Sequence, residues 1–207
     1  MYQPPHFQVT DEAALHRAVR AHPLGLLITA GAGGLMANPV PFLLIEGSPL
    51  RLVAHVARAN AQWREIGEGL DALVVFQGAD AYVSPGWYAA KREHGKVVPT
   101  WNYVIVQARG RARIHDDRQW LRTQVGMLTD HHEERRAEPW AVRDAPDDFV
   151  AAQLKGIVGI EIEVSQLVGK AKLSQNRGEA DRAGVREGLA AESDPVAQMI
   201  GRLMDEA

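Results

Sequence analysis

The 207-residue chain has no cysteine, which removes disulfides, thiolate metal ligands and cysteine nucleophiles together and agrees with a reducing compartment. A basic excess is also missing. The 23 Lys and Arg face 26 Asp and Glu, for a formal net charge of −3, whereas proteins that grip phosphate backbones by counterion release carry the opposite balance. With neither a pair of recognition helices nor a basic stripe evident, direct binding to duplex DNA is not expected. No run reaches the roughly 18 apolar residues of a membrane span, and MYQPPHFQVTDEAAL has no basic n-region followed by an apolar core. We expect a cytoplasmic chain without a membrane partner. Internal repeats and low-complexity segments are absent too. Aromatic residues make up only 6% of the chain, so places where large rings collect stand out.

What is present suffices for a real core. At 46% hydrophobic residues, the length fits one domain over 1–207, with C-terminal helices from about 178 to 207 packed on it or on a partner copy. Thr10 before Asp11 and Glu12 predicts a capped helix that stops at Pro23. LGLLITA (24–30), LMANPVPFLLIE (35–46) and LRLVAHV (50–56), separated by glycine- and proline-bearing turns, predict an antiparallel meander. Pro39 and Pro41 cannot donate to a ladder, so the second run belongs at a sheet edge or a bulge. Asn60 can cap a short helix. Strand-like runs follow at 71–78 and 81–84, then a long excursion, then WNYVIVQARGRARIH as a long strand bent at Gly110. Helical patterns at DDRQWLRTQVGMLTDHH and PDDFVAAQLKG precede the apolar strand 157–168. The tail has Asp194 as N-cap, Pro195 in the first turn, and Val196, Met199, Ile200, Leu203 and Met204 on one stripe. The predicted class is α+β, mainly antiparallel β, as a small barrel with peripheral helices.

Most motif candidates fail on context. GAGG (31–34) leads into a strand, where a dinucleotide loop must open a helix. Gly169-Lys170 lacks the preceding glycine and the following Ser or Thr of a phosphate-binding Walker loop. His131 and His132 point about 100° apart on a helix and have no metal-ligand spacing. Glu161 and Glu163 share a strand face opposite Ile160 and Ile162, as an ordinary wet side does.

What remains is a set of polar and aromatic residues at strand ends: Asn38; His55, Arg58, Asn60 and Trp63; Ser84, Trp87 and Tyr88; Lys96, Thr100, Trp101 and Asn102; Lys170, Lys172, Ser174, Gln175 and Asn176. Singly each has a packing or solvated reading. Together they are too polar for a core and too aromatic for a plain surface, and they suit a flat, phosphorylated ligand. Arg58, beside the capped helix start, offers planar donors to a phosphate. Ser84, Thr100 and Asn102 offer groups to a sugar-alcohol chain, and the rings offer faces to an isoalloxazine. If neighbours alternate along the strand, Asn102 meets the ligand while Trp101 and Tyr103 point to the other face.

HVARANAQW (55–63), FQGADAYVSPGWY (76–88), KVVPTWNY (96–103), LTDHHE (128–133) with PW at 139–140, and GKAKLSQNR (169–177) together resemble the PaiB family. These are FMN-binding proteins of the pyridoxamine-phosphate-oxidase-like split β-barrel group, commonly described as negative transcriptional regulators. The resemblance implies a split barrel, a homodimer with FMN at the subunit interface, and a phosphate near Arg58 and Asn60. It also implies ring and ribityl contacts from 84–88, 100–103 and 170–176. Oxidase relatives place Arg or Lys on the second strand, where this chain has MANPVPF (36–42). The leading expectation is thus an FMN-binding regulator whose effect on transcription is indirect. One alternative is an FMN-dependent oxidoreductase or flavin reductase using NAD(P)H, and another is a haem-binding split barrel with His55 or His94 as ligand.

Overall fold

The structure, a computed structural model, describes residues 1–205. The chain forms two compact units, one from Met1–Ala18, Gln77–Val106 and the segment from Val168 onward, the other from Val19–Phe76 and Gln107–Leu167. Three long strands, β6 (Leu70–Val83), β7 (Thr100–His115) and β8 (Ile157–Lys172), contribute to both.

In the second unit, β2 (Leu24–Gly31) and β3 (Gly34–Pro41) form a hairpin in register from Leu24↔Pro41 to Gly31↔Gly34. The other edge of β2 pairs with β6 from Leu26↔Val75 to Thr29↔Ala72. β5 (Arg51–Ala57) lies between β4 (Leu43–Ile45) and β8, all antiparallel. The strand order is β3-β2-β6-β7-β8-β5-β4. β3 also lies against β5, near the opposite end of that order, so the sheet rolls toward itself. The expected three-strand meander is therefore corrected: the run 35–46 breaks at Phe42, and its halves sit at opposite ends of the order. The prolines explain the break. Pro39 and Pro41 are tolerated on the edge strand β3, and Phe42 then turns inward, its amide donating to Pro23 O at 2.9 Å and its ring meeting Phe76 edge-on.

Glycine marks a close approach on β7. A Cβ on Gly110 would lie 2.0 Å from Glu163 O, so no side chain fits where β7 meets β8. α4 (Arg118–Glu133) is capped by Asp117, whose side chain accepts from Trp120 N at 2.8 Å. With α5 (Asp147–Lys155) it buries Leu121, Val150 and Leu154. A short helix, α2 (Gln62–Ile66), follows β5. The first helix, α1 (Glu12–Ala21), is capped by Asp11 rather than Thr10, with Ala13 N and Ala14 N donating to its carboxylate.

In the first unit, β1 (Gln8–Val9) pairs with the end of β8 through Gln8↔Lys170 and Val9↔Gly169. The expected strands at 71–78 and 81–84 are one unbroken β6. A 3-10 turn (Pro85–Trp87) and α3 (Ala90–Glu93) occupy the excursion before β7. α6 (Glu179–Ala191) and α7 (Pro195–Leu203) bury Val185, Leu189, Ile200 and Met204 against Val83, Tyr88 and Leu173. Each large side chain so buried contributes about 1.5–3 kcal/mol. Asp194 caps α7 by accepting from Val196 N at 2.9 Å. The predicted stripe divides: Ile200 and Met204 are buried, while Val196 and Met199 remain 43% and 42% exposed.

Candidate cofactor site

The seventeen candidate residues fall into two groups, one per unit. In the second unit the polar ones are largely occupied by their neighbours. Arg58 donates through Nε to Lys155 O at 2.9 Å, through Nη2 to Ile157 O at 3.0 Å, and through both terminal nitrogens to the Asp116 carboxylate. This fork-on-fork pair raises the guanidinium pKa and holds Asp116 below the usual carboxylate range, in each case chiefly through the shared hydrogen bond. Arg58, the expected phosphate ligand, is thus held by one carboxylate and two carbonyls. Asp116 is 58 positions away, so nothing local in HVARAN announces it.

Its neighbours are similarly engaged. Asn60 accepts from Gln62 N at 2.9 Å. Asn38 donates to the buried Gln62 side chain, which in turn donates to Leu27 O and Thr29 Oγ1. Trp63 donates through Nε1 to Arg58 O. His55 Nδ1 lies 2.8 Å from Gln124 Oε1 on α4. The helix that follows is only five residues long, with Ala61 rather than Asn60 at its N-cap position.

In the first unit, Ser84 caps the 3-10 turn by accepting from Gly86 N. Trp87 and Tyr88 pack inward. A Cβ on Gly188 would fall 2.3–2.5 Å from Trp87 ring atoms, and one on Gly184 2.0 Å from Trp87 O, so α6 presents glycines where the tryptophan seats. Tyr88 is buried in the same core with the Arg177 guanidinium 4.8 Å from its ring centroid. Burial first of all raises its phenol pKa. Lys96 is exposed.

The remaining candidates converge where β7 begins and β8 ends. Lys170 is only 7% exposed, and no carboxylate pairs with it among the described residues. Its ammonium lies 5.3, 5.5 and 5.8 Å from the ring centroids of Tyr103, Tyr2 and Phe7. Two residues on, Lys172 Nζ donates to Thr100 Oγ1 at 2.6 Å and Trp101 O at 2.5 Å. Burial, then repulsion from Lys170 and Arg177, lowers its pKa. Three cations thus share this region with ring faces, a hydroxyl and a carbonyl as partners.

Alternation along β7 holds, but it sends Asn102 into the core. Asn102 is 0% exposed, and its carboxamide exchanges two 3.1 Å hydrogen bonds with the Ser174 hydroxyl, donating through Nδ2 and accepting at Oδ1. Ser174 adopts φ +64°, a left-handed conformation that costs a non-glycine residue on the order of 1–3 kcal/mol. The asparagine clamps that turn, and Gln175 completes it by accepting from Leu173 N and donating to Ala171 O. Asn176 is exposed beyond it. Trp101 faces outward, 52% exposed, with Tyr82 edge-on at 5.9 Å. Arg177, Tyr2, Phe7 and Tyr82 belong to this region and stand outside the candidate set, and so does Tyr103 as a named candidate, although the resemblance included it in the 100–103 segment. Arg177 was within reach, closing the GKAKLSQNR stretch, but Tyr2 and Phe7 meet Lys170 across more than 160 positions and leave no local trace.

Arg109, Arg111 and Arg113 alternate along β7 and line a groove of about 570 Å³ in the second unit. The sequence reading of no basic stripe is corrected to a short one, with Asp71 and Glu163 on the same groove and Asp71 3.7 Å from Arg111. No helix among the described residues is long and apolar enough to cross a membrane.

Residues 1–166 match the family described as "Putative FMN-binding domain". The chain is 33% identical over 207 residues to "Protease synthase and sporulation protein PAI 2" of Bacillus subtilis, covering 100% of this chain and 97% of that protein. The fold is similar to that of the FAD and heme binding protein from Mycobacterium smegmatis (TM-score 0.62, 18% identity, 85% of this chain and 78% of that one). It is also similar to that of the flavocytochrome Anf3 from Azotobacter vinelandii (TM-score 0.57, 17% identity, 86% and 75%). On these matches the chain belongs to the FMN-binding family of PaiB type, with the split β-barrel fold.

Proposed function

We propose that the chain is a regulator that works as a cytoplasmic homodimer with FMN bound, and that its effect on transcription is indirect. The observation that carries the cofactor part is the cation cluster at the end of β8. Lys170 is buried with no counter-anion among the described residues, and Lys172 has its pKa lowered partly by its own positive neighbours. A dianionic phosphate relieves both conditions at once. Lys170, Lys172 and Arg177 would hold the phosphate, and Trp101 with Tyr82 offers exposed ring faces to an isoalloxazine. Thr100, Gln175 and Asn176 supply polar groups, while Asn102 and Ser174 fix the turn that carries them. Asn38, His55, Arg58, Asn60 and Trp63 are engaged within the second unit, Ser84, Trp87 and Tyr88 within the first, and Lys96 is exposed. When bound, FMN supplies redox chemistry; the chain's part is to bind and orient it.

The regulatory part is supported by the likeness to the Bacillus subtilis protein, whose name refers to protease synthesis and sporulation. Its indirect character follows from the net charge of −3 and from the acids interspersed among the β7 arginines. Titration with FMN, followed by difference absorbance, tests the cofactor site: Lys170→Met or Lys172→Met should weaken binding at least about tenfold. Wild-type affinity in both variants would move the phosphate elsewhere. A salt-dependent nanomolar complex with duplex DNA in a gel shift would overturn the indirect mode, and light scattering showing only a monomer would overturn the dimer.

A further inference from the structure

We infer that a groove in the second unit, between α4 and the strands β4, β5 and β8, binds a small uncharged molecule that carries a carbonyl-type acceptor on a flat apolar body. The groove has a volume of about 410 Å³, within the roughly 300–1,000 Å³ of ordinary ligand sites.

The polar demand comes from Gln124. This side chain is 1% exposed, its Oε1 is 2.8 Å from His55 Nδ1, and its Nε2 has no partner among the described residues. With Nδ1 of His55 protonated, Oε1 accepts and the amide nitrogen is left with two unused protons. Turning the carboxamide over only transfers the vacancy to the oxygen, so His55 cannot satisfy both ends. Buried polar groups are almost always paired, and one that lines a groove is best paired by what enters it.

The charges argue for a neutral occupant. Arg51 Nη1 is 2.9 Å from Glu161 Oε2, and the other Glu161 oxygen is 3.8 Å from His115 Nε2. The guanidinium and carboxylate thus cancel within the wall, in contrast to the unpaired cations at the end of β8. The rest of the lining is Ile45, Val53, Trp120 and Met127 together with Gln119 and Thr123, whose hydroxyl already donates to Gln119 O at 3.0 Å. Val53 is buried at the floor and Met127 stands 39% exposed at the rim. The Trp120 indole is held rigid by stacking on His115 at 4.3 Å and by its edge on Gly159, where a Cβ would fall 2.1 Å from the ring. A rigid aromatic wall beside one buried donor selects a flat molecule with one acceptor.

The test uses the full chain supplied with FMN, with benzamide as the probe and benzoate and benzylammonium as charged comparators. In ¹H–¹⁵N spectra the Gln124 side-chain pair is the one missing from Gln124→Met. Benzamide should shift that pair saturably, and Gln124→Met should weaken binding about three- to tenfold, the effect of losing one hydrogen bond. Met127→Trp, at a half-exposed position that tolerates substitution, should abolish binding by filling the groove and keeps the test open if Gln124→Met fails to fold. The inference falls if benzamide produces no saturable shift, or if it binds both variants as well as wild type. Tighter binding of benzoate would reject the uncharged class, and a Gln124 pair that contacts only a long-lived water would reduce the site to a structural hydration site.

Discussion

Two cation clusters, one in each unit, treat positive charge in opposite ways. In the second unit, Arg58 forks onto Asp116 and Arg51 donates one hydrogen bond to Glu161 on the neighbouring strand β8, so each guanidinium joins separate segments of the chain through a carboxylate. In the first, Lys170, Lys172 and Arg177 have no carboxylate partner among the described residues and rest instead on rings, a hydroxyl and a carbonyl. Arginine suits the first task because its planar fork matches a carboxylate; lysine suits the second because its compact charge can exchange partners. The difference teaches that a cation near a candidate site is informative only once its anion has been sought. Arg58, the phosphate ligand expected from sequence, is engaged by Asp116.

The sharpest way to break this comparison is to remove charge from each side. Lys170→Met with Lys172→Met should lower FMN affinity on the order of a hundredfold by calorimetry, while the FMN-free protein melts no lower than wild type, since a methionine needs no counter-ion among three rings. Arg58→Gln should leave FMN affinity within about threefold. Loss of FMN affinity in Arg58→Gln alone would return the phosphate to the second unit. Next in size is the clamp that shapes the cationic region. Asn102→Ala leaves a buried hydroxyl unpaired and should cost about 1–3 kcal/mol in denaturant unfolding. Ser174→Gly, which accepts the left-handed φ without strain, should cost clearly less. Equal losses in the two would show that backbone strain plays no part there.

Much of the fold was legible because its signals are local. Period-two runs placed β2, β5 and β7, Asp194 and Pro195 opened α7, and Pro39 with Pro41 put their strand at an edge, while Gly110, read as a bend, sits where no Cβ fits against Glu163 O. The failures were non-local. That β4 separates from β3 depends on which strands accept them, and that 70–83 is a single strand depends on its neighbours β2 and β7 in the sheet. At the candidate site, residue types drew attention to segments that meet where β7 begins and β8 ends, but not to which way each side chain faces. Alternation along β7 separates Trp101 from Asn102, yet only the position of Ser174 and Met204 says that the asparagine goes inside. The cage around Lys170 draws rings from residues 2, 7 and 103, a conjunction no window of sequence contains.

Protons offer a gentler probe of the same contrast, because the two kinds of cation respond to pH with opposite logic. The folded, FMN-free protein holds the Lys172 proton less tightly than the unfolded chain does. Its stability should therefore rise as pH climbs from the lowered pKa toward the ordinary lysine range, where the unfolded state still binds the proton. A bound phosphate favours the charged ammonium, so FMN affinity should fall over that same window and become flat in Lys172→Met; a parallel slope in the variant would assign the titration to another group. The smallest effect belongs to the other unit. Asp116, held low by Arg58, contributes stability above the ordinary aspartate range and loses it as pH falls through its folded pKa. The pair is solvent-exposed, so Asp116→Asn should produce only a slight flattening of the acid limb of melting temperature against pH, with FMN affinity unaffected. A change in FMN affinity in that variant would mean that Arg58, once released, reaches the cofactor after all, and that the carboxylate had been regulating the site rather than merely bracing the barrel.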